Sequence, residues 1–311
     1  MSTMSLLPIR SVAITGGLGN LATKLFRHLA TIDGIERLVG LDIRSPAADQ
    51  AAQTLAGVTT NATLTYVACD LRDAHDRHWR DALTGVDAIV HFAADNPYPE
   101  ATWLEAANSL DMTLHVANLA VATGVKRVVF ATSNHVMGRY KDDPLWDQIG
   151  PGALTPDLPP GTGTVWHTGV QTMDSTPYAT AKLMGERVCQ EAAGRAGGHT
   201  TFACIRIGWC QPGENLPATL SAAGTPTQSG GGDTTSGDAT LQRADRWFRE
   251  MWLSNRDFIQ LFTAAIRTDG AAWPDGFVLV NGMSNNRGMK WSLAATQQWF
   301  GYAPVDDVYR S

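Results

Sequence analysis

The sequence predicts an α/β protein: a doubly wound parallel sheet with a small C-terminal α/β cap. Three observations predict it. Short, continuously apolar runs recur along the chain with helix-length segments between them. Strands of that kind are buried on both faces, as in a parallel sheet. The first run ends in a glycine turn that opens a helix, and the second ends in an aspartate, Asp42.

The elements follow in order. Residues 11–15 (SVAIT) form the first strand, and 21–30 continue with helical spacing. Strands are expected at 37–41 (RLVGL), 64–68 (LTYVA), 87–92 (DAIVHF) and 127–131 (RVVFA). The clearest helix is 104–123, with Leu110, Leu114, Ala117 and Val121 at helical intervals. Further on come a helix at 180–193, a strand at 201–207, a helix at 257–267 and a strand at 277–281. Two stretches are long for connections in a compact domain, and both are read as candidate lids. Residues 142–176 are rich in Pro and Gly and carry Trp146, Trp166 and His167. Residues 221–240 are low in complexity and read equally well as a surface insertion.

Composition narrows the function. The 311 residues are 44% hydrophobic and 17% charged, enough apolar content for a large core. The net charge of −6, with no Lys/Arg cluster, argues against a nucleic-acid partner. Cys69, Cys189, Cys204 and Cys210 show no CxxC spacing and sit in or beside apolar runs. They read as free thiols of a cytoplasmic protein, with no metal site. No run is long and apolar enough to span a membrane, and residues 1–10 lack a secretory signal pattern.

The turn Thr15-Gly16-Gly17-Leu18-Gly19-Asn20-Leu21-Ala22 lies between the first strand and the first helix. Gly16 and Gly19 let the backbone turn and approach a pyrophosphate, which the helix N-terminus attracts. Asn20 and Leu21 open that helix, and Ala22 is small enough for it to pack on the strand. Asp42 is placed to accept hydrogen bonds from adenosine ribose hydroxyls and to repel a 2′-phosphate, which favours NAD over NADP, although nearby Arg44 works against that preference. Asp70 and Leu71, after the third strand, are placed to meet the adenine. The fold is therefore read as a Rossmann-type sheet. Residues 8–200 form its NAD-binding core, and 201–311 supply the last strands and the substrate-binding cap.

Tyr178 and Lys182 are four apart at the start of a helix, so both face the same ligand. A nearby ammonium is expected to lower the tyrosine pKa and so make it a base for an alcohol proton. Ser133, at the end of the fifth strand, can bind the same oxygen.

With these residues the chain resembles the extended short-chain dehydrogenase/reductase superfamily, which includes the NAD-dependent epimerases and dehydratases. The resemblance also covers His91-Phe92-Ala93-Ala94 and Asn108. Residues 130–140 (FATSNHVMGRY), 205–212 (IRIGWCQP), 252–267 and 280–304 are similar to bacterial uronate dehydrogenases. Those enzymes oxidise the anomeric carbon of a hexuronic acid with NAD. The resemblance implies that Ser133 and Tyr178 bind the reacting hydroxyl and that Lys182 binds the nicotinamide ribose. It further implies that Asn134, His135 and Asn96 meet the sugar, that Asn108 holds a helix or a water relay, and that Ala93, Ile207 and Gly208 flank the cofactor. It also implies a homodimer through the Tyr178 helix and its neighbour.

Two positions depart from the pattern. Trp209 stands where those enzymes carry a small hydroxyl residue. Ungapped alignment puts Trp247 where they carry a carboxylate-clamping arginine, so Arg246, with Arg243 and Arg249 nearby, is the candidate clamp. The expected activity is NAD-dependent oxidation of a sugar or sugar-acid hydroxyl. One alternative is a nucleotide-sugar epimerase or dehydratase that retains its NAD, against which stands the short segment after Lys182. The other is a non-catalytic NAD-binding regulator, against which stands the presence of Ser133, Tyr178 and Lys182 together.

Overall fold

The computed structural model describes residues 5–45, 57–96, 101–167, 172–220 and 239–310. Among them are nine strands: β1 (Ser11–Thr15), β2 (Arg37–Asp42), β3 (Thr63–Ala68), β4 (Ala88–His91), β5 (Arg127–Ser133), β6 (Val165–His167), β7 (Thr172–Asp174), β8 (Thr201–Ile207) and β9 (Phe277–Gly282). Seven form one sheet in the order β3-β2-β1-β4-β5-β8-β9, and every neighbouring pair is parallel. The strands expected from the sequence are these seven. β6 and β7 pair antiparallel as a separate hairpin.

The helices are α1 (Asn20–Leu29), α2 (Arg77–Leu83), α3 (Trp103–Thr123), α4 (Leu145–Gln148), α5 (Thr176–Ala196), α6 (Ala239–Glu250), α7 (Asn255–Arg267) and α8 (Ala294–Phe300). Strand residues alternate between the two faces. Val12 and Ile14 join Leu25 and Phe26 of α1 and Phe258 and Phe262 of α7. Ala13 joins the opposite core, with Val116 and Ala120 of α3 and Cys189 and Ala192 of α5. Every residue of β5 and β8 is buried, which explains their largely apolar sequences. Glycines in the left-handed conformation end α3 at Gly124 and α5 at Gly197.

Two buried arginines interrupt those runs. Arg206 of β8 forks onto Glu186 of α5 at 2.8 and 2.9 Å, and Glu186 also accepts from Thr132 Oγ1 at 2.7 Å. This network ties α5 to the sheet. Arg127 donates to the Thr268 carbonyl at 2.8 Å and lies 3.8 Å from the Trp273 ring centroid.

A third apolar cluster forms the cap beyond the strand ends. It joins Val136, Met137 and Tyr140, which follow β5, to Trp247, Phe248 and Met251 at the end of α6, and to Met283, Met289 and Trp291 after β9. The cap thus draws on chain before and after α5. Residues 221–238 of the low-complexity stretch lie outside the described residues; its last two positions, 239 and 240, open α6. No helix among the described residues is long and apolar enough to cross a membrane.

Candidate active site

Strand order reverses at β1 and β4, and a crevice opens there beyond the C-terminal strand ends. The cavity measures about 1040 Å³. That is at the top of the ~300–1,000 Å³ range of ligand clefts.

One end is built by the glycine turn. Gly16 has φ +66°, and a Cβ there would lie 3.1 Å from the Ala93 amide nitrogen. A Cβ on Gly17 would lie 2.9 Å from Gly40 Cα, so the turn packs directly on β2. Gly17 is the position the sequence reading missed, and Gly40 inside a strand was its signal. Gly19 caps α1, and Asn20, Leu21 and Ala93 line the cavity with it. Asp42 accepts from the Leu18 amide at 3.0 Å and from Arg44 Nε and Nη2 at 2.9 and 3.1 Å. Burial raises its pKa, but these hydrogen bonds outweigh burial and hold the carboxyl below the ordinary value. Asp70 is held the same way by Arg72, and Asp70 and Leu71 line the cavity. An uncovered glycine floor, a helix N-terminus and an ionised Asp42 fit the pyrophosphate and ribose of NAD.

At the other end, β5 delivers Ser133 and α5 delivers Tyr178 and Lys182. All three line the cavity. Lys182 Nζ donates to the Ala131 carbonyl at 2.8 Å and lies 5.8 Å from the Tyr178 ring centroid. The expected lowering of the Tyr178 pKa by Lys182 is not what these groups produce. Burial pushes the phenol up to about 12, and the neighbouring Ser133 hydroxyl only partly offsets it. Burial brings Lys182 down to about 8.

Asn134 and His135 follow Ser133 and line the same end, as does Ile207. Asn134 Nδ2 donates to the Ile207 carbonyl at 3.0 Å. Its Oδ1 is buried without a partner. His135 Nδ1 sits 2.8 Å from both Thr164 Oγ1 and Ser175 Oγ, and burial brings its pKa down to about 4. These two hydroxyls were not anticipated, because nothing local in the sequence relates position 164 to position 135. Trp209 lines the cavity with Gly208. A Cβ on Gly208 would lie 2.0 Å from the Met251 carbonyl oxygen, which explains the glycine there. Trp166 and Met173 of the hairpin also line it, so part of 142–176 does cover the site. The His167 side chain and residues 168–171 lie outside the described residues.

Three expected residues do not reach the cavity lining. Asn96, at φ +48°, turns its amide toward Glu105 at 3.4 Å. Asn108 donates to Asp95 Oδ2 at 2.7 Å, one residue behind the wall. Arg246 points outward and pairs with Glu250 at 2.6 Å. Arg243 pairs with Asp143 and Arg249 with Asp245. The inward positions at the end of α6 are the apolar Trp247 and Phe248, followed by Met251 just after it, because that helix packs on the cap core. Among the described residues no group of three or more His, Cys, Asp or Glu side chains is arranged to hold a metal.

Residues 12–208 match the NAD dependent epimerase/dehydratase family. The L-arabinose 1-dehydrogenase (NAD(P)(+)) of Haloferax volcanii is 29% identical over 78% of this chain and 82% of its own length. A uronate dehydrogenase of Pseudomonas putida is 26% identical over 97% of this chain and 87% of its own. Among solved structures, a mutated uronate dehydrogenase superposes with a TM-score of 0.64 at 23% identity, covering 96% of this chain and 83% of that one.

Proposed function

Because this chain belongs to the NAD dependent epimerase/dehydratase family and is an NAD-dependent oxidoreductase acting on CH–OH groups, we propose that it oxidises a ring hydroxyl, the anomeric one, of a sugar or sugar acid, with Tyr178 as base. One observation carries the reading: Ser133, Tyr178 and Lys182 line the same cavity that the glycine turn opens. Ser133 Oγ and Tyr178 Oη hold the substrate oxygen, and Tyr178 takes its proton. Lys182, anchored on the Ala131 carbonyl, orients the ribose hydroxyls. Gly16, Gly19, Asn20 and Leu21 hold the pyrophosphate, Asp42 the adenosine ribose, Asp70 and Leu71 the adenine, and Ala93 and Ile207 the nicotinamide half. Asn108 acts on the site only through Asp95. Bound NAD supplies the hydride acceptor. Oxidation at an anomeric carbon gives a lactone and needs no further catalytic group.

Both curated relatives above are named as sugar or sugar-acid dehydrogenases. The test is NADH formation by the purified protein over a panel of aldoses and uronates. Tyr178→Phe is expected to lower kcat by about 10²–10⁴-fold while leaving NAD binding intact. Oxidation by the native protein is expected to rise with pH through the alkaline range, because burial keeps Tyr178 protonated at neutral pH. A Tyr178→Phe protein with native turnover would refute the assignment. So would tightly retained NAD with no turnover of any sugar, and the epimerase reading would then take its place.

A further inference from the structure

We propose that the substrate is uncharged, a neutral aldose whose ring stacks on an aromatic wall, and not a sugar acid. This deepens the reading above and rests on it. The wall is continuous. Phe248 lies 4.9 Å from Trp166 and 5.7 Å from Trp209, ring centroid to centroid. Trp166 in turn stacks on His135 at 6.2 Å, and His135 meets the Tyr178 ring edge-on at 5.9 Å. Met173 and Met251 complete the surface. Aromatic and thioether groups suit the C–H face of a sugar ring and give a carboxylate nothing.

Apart from Lys182, the cations stand away from this wall. Among the described residues, the arginines and lysines lining the cavity are Arg44, Arg72 and Lys182. Arg44 is held by Asp42 at the end of β2. That strand lies three strand spacings, about 14 Å, from β5. Arg72, after β3, is held between two carboxylates, Asp70 at 2.8 Å and Asp95 at 3.6 Å. Lys182 is bound to the Ala131 carbonyl beside the reacting groups. Lys24 reaches Cys210 Sγ at 3.7 Å, but it donates at 2.6 Å to Gln211 and Asn255 and does not line the cavity. The three arginines of α6 are turned out and paired. The segments outside the described residues contain no Lys or Arg in the sequence. His135 supplies no charge either, since burial keeps it neutral above about pH 4. A carboxylate placed against this wall would be a desolvated, unpaired charge.

The test uses matched pairs that differ only at the terminal carbon: glucose with glucuronate, and galactose with galacturonate. Calorimetric binding is measured on the protein with NADH bound, and kcat/KM with NAD. The neutral member is expected to win by about a hundredfold in both. A uronate that binds or turns over as well as its partner overturns the inference, and so does a protein that binds neither. Neutral sugars that bind without turnover would leave this inference standing and refute the dehydrogenase reading. Trp209→Arg, at a half-buried position, is expected to raise kcat/KM for the uronate relative to its neutral partner by about tenfold. An unchanged ratio would mean that the missing cation does not set the selectivity.

Discussion

Asp42 accepts from the Leu18 amide with one oxygen and from the Arg44 guanidinium with both. The carboxylate therefore braces the glycine turn and keeps Arg44 from acting as a free cation. Its pKa sits below the ordinary range, so it stays negative at all working pH. Removing it changes two things together: the repulsion of a 2′-phosphate ends, and a guanidinium becomes available to bind one. Asp42→Ala is expected to shift the kcat/KM ratio of NADP to NAD toward NADP by about tenfold or more, measured at saturating sugar. An unchanged ratio would show that Asp42 only braces the loop. The glycines of the same turn act through space as well as conformation. Gly16 needs its positive φ, whereas Gly17 is required by the approach of Gly40.

At the scale of elements, α5 carries the chemistry and must be held in register with β5. The Arg206–Glu186–Thr132 network does this from inside the core, where both ionic partners are nearly inaccessible. Removing one partner leaves the other charge buried and unpaired, which costs about 3–5 kcal/mol. Arg206→Met is expected to lower stability by that order in denaturant titrations and to loosen the placement of Tyr178. A change under about 1 kcal/mol would mean that apolar packing alone holds α5. The hairpin of β6 and β7 acts on the opposite side of the site. It brings Trp166 and Met173 over the cavity, while Thr164 just before it fixes His135.

For the whole molecule, two histidines make folding sensitive to acid. His91 is held between Thr15 and Thr113 within the core, and burial brings its pKa down to about 3. His135 is brought down to about 4. Both values lie below the ordinary 6.5, so below that pH the unfolded chain binds protons that the folded one does not. The stabilisation is fully present above pH 6.5 and is lost as pH falls toward the folded values. Each histidine contributes a slope of ~1.4 kcal/mol per pH unit in that window. The Tm is expected to fall as pH drops from 6.5 toward 5, before carboxylates with pKa about 4 take over. His91→Asn should flatten that slope even if it lowers Tm throughout. A slope equal to that of the native protein would show that His91 titrates normally.

The local patterns determined the sheet, the glycine turn, Asp42 and the pairing of Tyr178 with Lys182, because each is a short-range relation: an apolar run, a turn, an acid at a strand end, two residues one helical turn apart. Ser133 was legible for the same reason, as the last residue of a strand. The substrate end was not. Which face of α6 turns inward depends on the cap core built from segments before and after α5, and that packing put Phe248 and Met251 in the wall and Arg246 in solvent. Asn96 and Asn108 were read by position, and their partners Glu105 and Asp95 became visible only once the loop after β4 had folded onto α3. Nothing in the sequence sets Thr164 and Ser175 against His135, or shows that Arg44 and the arginines of α6 pair with carboxylates away from the aromatic wall. Those are long-range contacts, and only the tertiary structure decided them.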